Sequence, residues 1–288
     1  MEQSRKIQAV AAASRPSAVS GWRLRWYGAD LLEVMAVSGY GIWILLGLLL
    51  GLGIYSEGRG QALVPLTLGC GFISAGLLVA CLRLPILPDW HGWQLGRDGW
   101  PTRKAMLAFS AFLPMLALAG LVRGSNDFWA TRLAGGALVV CSLVSLVATA
   151  NDAGHQHYPG SPRASWLCSH VASACYAGGL WLWLCVVAQA GDTNQISPES
   201  WAMGLLVLAA LLALLEGMLR QSSAAHRELA VRWPYARWFI VLLVYGWPCL
   251  ALLWSYLYGG TVPLAASAAL SCSLGKSLQQ RRSGIASP

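Results

Sequence analysis

Charge is what this chain has least of. Only 11% of its 288 residues are Asp, Glu, Lys or Arg, against roughly 25% in soluble proteins. That excludes an ordinary water-facing surface over most of the molecule. Histidine is scarce too, at His91, His155, His157, His170 and His226, and only His170 falls well inside an apolar run. A cofactor in a helix bundle draws its ligands from facing helices, so one such histidine excludes a bis-histidine haem. The eight cysteines contain no Cys-x-x-Cys pair. Iron–sulfur and zinc sites take closely spaced thiolates, so these thiols read as small buried hydrophobes. No metal site is expected in this chain. A secretory leader is not evident either: the first apolar run, from about residue 31, is too long for an h-region of roughly 7–15 residues. The alternating ten-residue segments of an outer-membrane barrel are also missing.

What the sequence does hold is apolar length. Hydrophobic residues make up 56% of it, with a mean hydropathy of +0.54. A bilayer span takes about 20 consecutive apolar residues, and such stretches recur at 31–55, 62–82, 105–122, 128–150, 165–190, 201–220, 237–259 and 261–279. The pattern predicts an all-α fold: a polytopic membrane bundle of eight transmembrane helices occupying 31–279. Residues 1–30 form a basic N-terminal segment, interfacial or disordered, and 280–288 a polar C-terminal tail. The eighth stretch is short and rich in Ala and Ser, as suits a helix packed by protein.

Lys and Arg concentrate on the cytoplasmic side of a membrane protein. With eight spans, 17 of the 20 cations fall on the side of the two termini and the loops after spans two, four and six. Arg59, Arg123 and Arg132 remain opposite. Both termini are therefore expected in the cytoplasm. The net charge of +8 then faces anionic lipid headgroups, and no nucleic-acid partner is implied.

Ionisable residues inside a span are expensive and invite a functional reading. Glu33 and Arg132 lie about one turn inside their helices and can snorkel to the interface. His170 and Glu216 lie deeper, toward the cytoplasmic ends of the fifth and sixth spans, at one membrane depth. They suit either a structural pair bridging two helices or a proton-handling site for a quinone-like headgroup. Pro248 should kink the seventh span. Gly47 with Gly51, and Gly71 with Ala75, have the spacing that lets helices approach closely.

One loop breaks the economy of charge. WHGWQLGRDGWPTRKAMLAF, residues 90–109, packs three tryptophans, a histidine and three cations between two apolar runs. Read alone, it is an interfacial loop with rings at headgroup depth. Read functionally, Trp90, Trp93 and Arg97 are partner-docking candidates. Arg83, His91, Trp100, Arg103, Lys104, His170 and Glu216 are then the candidates for quinol binding or proton handling.

The segment CLRLPILPDW followed by that loop resembles the DMSO reductase anchor subunit (DmsC) family. YAGGLWLWL at 176–184 looks like the family's fifth helix, and ARWFIVLLVYGWPCLALLW at 236–254 is similar to its seventh. The resemblance implies a multi-pass anchor in a bacterial inner membrane that is not itself catalytic and binds no cofactor of its own. Its partners would be an iron–sulfur electron-transfer subunit and a molybdopterin catalytic subunit. Its substrate would be quinol, such as menaquinol, whose electrons pass to the nearest cluster in anaerobic respiration. The family's loop histidine aligns with Arg83, however, and its acidic residue opening the third helix with Lys104. Arginine does not deprotonate in proteins, so Arg83 cannot relay a proton. Either His91, His170 or Glu216 takes that task, or quinol oxidation has been lost. The family's catalytic partners are often exported, whereas the cation count puts the docking loop in the cytoplasm. Either this partner is cytoplasmic, or basic docking residues have biased the count. Two other functions compete: an anchor or assembly protein without quinol oxidation, and a small-solute transporter. The transporter lacks the paired broken helices that mark many such folds.

Overall fold

A computed structural model describes residues 27–54, 60–82, 100–122, 129–157, 163–189, 198–222 and 234–285, with side chains for all but the outer turns of some helices. The described chain is helical, without a strand. Its helices are α1 (Tyr27–Gly51), α2 (Leu63–Leu82), α3 (Trp100–Leu121), α4 (Trp129–His157), α5 (Arg163–Gln189), α6 (Pro198–Ser222), α7 and α8 (Val262–Ile285). The seventh, α7, is composite: Pro234–Val241, a π turn at Leu242–Gly246, then Trp247–Tyr258.

Among the described residues, five stretches are long and apolar enough to cross a membrane: Leu31–Gly51, Trp129–Ala150, Leu167–Gln189, Ser200–Met218 and Trp238–Tyr258. The apolar parts of α2 and α3, Leu63–Leu78 and Leu107–Leu121, are shorter. The helices follow the expected spans but differ at their ends. The first stops at Gly51 rather than continuing to 55, because Gly53 adopts φ +71° and closes a Schellman turn. Ile54 N–H donates to Leu49 O at 2.9 Å and Gly53 N–H to Leu50 O at 3.1 Å, the 6→1 and 5→2 bonds of that motif. Conversely, α4 and α8 outrun their apolar segments into NDAGHQH and QQRRSGI. Hydropathy marks where hydrocarbon ends, not where backbone hydrogen bonding does.

The bundle is built around α1, which packs on α2, α4, α5 and α8. In the spans of α1 and α5, 67% of the positions are buried, against 22% in α6 and 28% in α7. The first pair is therefore interior and the second peripheral. Close approach of α1 and α5 depends on a missing side chain. A Cβ at Gly178 would sit 2.4 Å from Ile42 N and 2.6 Å from Ser38 O. Gly69 makes room on α2 for Trp43, whose Nε1 donates to Leu66 O at 3.2 Å across the buried α1–α2 contact. Of the small-residue pairs read from sequence, Gly47 meets Gly135 of α4 as expected, while Gly71 has nothing within 4 Å of a Cβ placed there. On α2 the close-packing positions are Gly69 and Gly76, the latter against Ala36.

The outward faces are apolar. On α6, Met203, Val207, Leu211, Leu214 and Met218 are exposed at three- and four-residue intervals, and on α4 so are Leu133, Val140 and Val144. A monomer in water rarely exposes such continuous apolar surface. Several hydroxyls are satisfied within the protein: Ser38 donates to Val34 O, Ser267 to Leu264 O, Ser273 to Ala269 O and Ser277 to Leu274 O. In hydrocarbon every polar group must find an internal partner, and these find theirs one turn back on their own helix.

Candidate functional site

The polar residues that read as functional divide into a group the structure describes and a group it does not. Arg83, Trp90, His91, Trp93 and Arg97 lie outside the described residues. Trp100, Arg103 and Lys104 occupy the first turns of α3, with side chains outside the description. His170 and Glu216 are described, on α5 and α6.

His170 lies roughly two turns from the start of α5, and Glu216 roughly two turns from the end of α6. These two helices pack directly on each other, Gly179 of α5 against Leu205 of α6, and α5 is flanked in turn by α8. There Lys276 turns inward and its Nζ donates to the Ser173 hydroxyl and, at 3.4 Å, to the Ser173 carbonyl. A carbonyl already used by its helix keeps a second lone pair, so α5 tolerates this extra bond. The ammonium lies within electrostatic reach of His170. Cys272, one turn earlier on α8, feels both Lys276 and Glu216. His170 and Glu216 each make further interactions of their own. The α8 ammonium and the α5 imidazole thus lie within electrostatic reach of each other in one region of the bundle, and the Glu216 carboxylate of α6 lies within reach of Cys272.

The wall of this region is set by a proline. Pro248 has no N–H, so the helix bond it would donate to the carbonyl four residues back, on Val244, cannot form. The chain answers with the π turn just upstream, in which Trp247 N–H reaches back to Leu242 O. Tyr176 of α5 supplies the missing donor: its hydroxyl gives a hydrogen bond to Val244 O at 3.1 Å. Tyr245 stacks on Tyr176, with ring centroids 5.8 Å apart and 21° between planes. Gly275 of α8 lies against the same turn, where a Cβ would come within 2.6 Å of Val244 Cγ2. Lower on α8, Trp181 Nε1 of α5 donates to Ser273 Oγ at 3.2 Å. At Pro248, where the sequence predicts a kink, the helix carries a π turn just upstream, a feature frequent at functional sites.

Lys276, Ser173, Tyr176 and Tyr245 were not singled out by sequence. Lys276 follows an Ala- and Ser-rich stretch and leads into basic residues, so it reads as another cytoplasmic cation. Only the geometry turns it inward. Among the described residues no three His, Cys, Asp or Glu side chains gather as a metal-ligand set, and the seven described cysteines are free thiols. Chemically, the cluster can hold or pass a proton and can stabilise negative charge in a low-dielectric interior. Compared with family models, with curated proteins and with solved structures, the chain matches none.

Proposed function

We propose that this chain is the membrane anchor subunit of a DMSO reductase-type molybdoenzyme complex. On this reading it crosses a bacterial inner membrane eight times with both termini in the cytoplasm. It binds quinol and passes the electrons to an iron–sulfur partner, which delivers them to a molybdopterin subunit. The observation that carries the reading is Lys276 of α8 bonded to Ser173 of α5 within electrostatic reach of His170, in an otherwise apolar bundle. Quinol oxidation releases two protons for two electrons, and titratable side chains within the membrane are the groups such chemistry calls on. The resemblance of the 81–109, 176–184 and 236–254 segments to the anchor family adds to it. Contacts at one bundle end support antiparallel helices. Arg132, near the start of α4, lies beside Gly53 after α1, and Gln189 at the end of α5 donates to Gln61 O before α2 at 3.1 Å.

A second reading, an anchor or assembly subunit without quinol oxidation, is favoured by Arg83 and Lys104 standing where the family carries groups thought to handle protons. Quenching of a fluorescent quinol analogue on the purified chain separates the two. We expect saturable binding, weakened about tenfold, or about 1.4 kcal/mol, by His170→Ala or Glu216→Gln. Unchanged affinity in both variants would remove these residues from the site, and no binding at all would count against quinol oxidation and favour the second reading over the first.

A further inference from the structure

We propose that the aromatic face of α7 is a lipid-contact surface whose two ends mark the two boundaries of the bilayer's hydrocarbon core. At one end Tyr235 and Trp238 are exposed, and at the other Trp254, Tyr256 and Tyr258. Between them the exposed side chains are Phe239, Leu242, Leu250 and Leu253, with Trp247 the single polar-tipped exception. Tyr and Trp gather where one end of a ring meets apolar chains and the other meets water. At 1.5 Å per residue, Trp238 and Trp254 stand about 24 Å apart and Tyr235 and Tyr258 about 34 Å. The two spacings bracket a hydrocarbon thickness of about 30 Å.

Trp247 tests the assignment from within. It falls between the belts and is 43% exposed, so its indole N–H would have no partner in lipid. The structure supplies one: Nε1 donates to Ser267 Oγ at 3.2 Å. The ring can therefore lie among acyl chains with its donor satisfied. A second copy of the chain, the other occupant such a face could take, gives no reason for polar-tipped rings to stand one bilayer thickness apart.

The belts also assign a depth to the charged cluster. Gly275, next to Lys276, lies against Val244, six residues along α7 from Trp238 and so about 9 Å beyond it. Lys276 and Ser173 thus sit inside the hydrocarbon layer, beneath the headgroups. The inference holds for any function of the bundle and does not rest on the quinol reading.

The test uses the full chain labelled with 5-fluorotryptophan in lipid nanodiscs, read by fluorine NMR. The variants W238F, W247F and W254F assign the three resonances, and the remaining resonances report whether each variant is folded; W247Y replaces W247F should that variant misfold. Lipids carrying a spin label at acyl carbon 5 or carbon 16 then give depth. Trp238 and Trp254 are expected to broaden severalfold more with the shallow label, and Trp247 with the deep one. The proposal is overturned if Trp247 follows the shallow label, or if neither label reaches the three rings because protein covers the face. A cross-linked dimer through Leu242 or Leu250 would name a second copy as the occupant and overturn it equally.

Discussion

Tyr176 shows how one residue's chemistry is dictated by another far along the chain. Pro248 cannot donate to Val244 O, and a buried carbonyl without a partner costs about 1–3 kcal/mol. The Tyr176 hydroxyl removes that cost at 3.1 Å. Tyr176→Phe should therefore destabilise the bundle by about 1 kcal/mol in a detergent unfolding titration. The loss should shrink in a Pro248→Ala background, where a backbone N–H can return; an undiminished loss would mean that the hydroxyl does not compensate for the proline. Lys276 makes the same point for charge. A lysine head is a compact, strongly hydrated point charge, and here it is bonded to Ser173 within the bundle. Lys276→Met should weaken quinol-analogue binding by tenfold or more, while Lys276→Arg retains part of it. His170 and Glu216 were legible in the sequence because each interrupts an apolar run. Lys276 was not, because polar residues follow it and only the turn of α8 toward α5 distinguishes it from a surface cation.

At the scale of the element, hydropathy located the helices and missed their ends. The Schellman stop at Gly53 and the extension of α8 to Ile285 depend on φ angles and backbone hydrogen bonds, which apolar content does not encode. Small-residue spacing was similarly ambiguous. Gly71 and Gly69 are two residues apart on one helix, yet only Gly69 faces α1, because two residues turn a helix by about 200°. Two substitutions make the distinction measurable. Gly178→Ala drives a methyl into the α1 backbone and should cost about 1–3 kcal/mol, as overpacking of a close-packed core does. Gly71→Ala meets open space and should change the unfolding midpoint little. Equal effects would mean that the α1–α5 crossing is looser than described.

For the whole molecule, interior α1 and α5, peripheral α6 and α7, and exposed apolar faces make a bundle that is solvated by lipid rather than water. The composition carried that much: 11% charge and repeated apolar runs leave few other folds. What composition could not carry is the job. An anchor's partners dock through loops and helix ends, and the 83–99 loop with its tryptophans and cations lies outside the described residues. The most direct measurement of the central claim is a tagged purification of the chain in mild detergent from its native membranes. Every co-eluting protein is identified, and molybdenum and iron are quantified against the chain. The anchor reading predicts a stoichiometric molybdopterin subunit and an iron–sulfur subunit. A chain that elutes alone and metal-free, from cells expressing such partners, would contradict it and turn attention to transport.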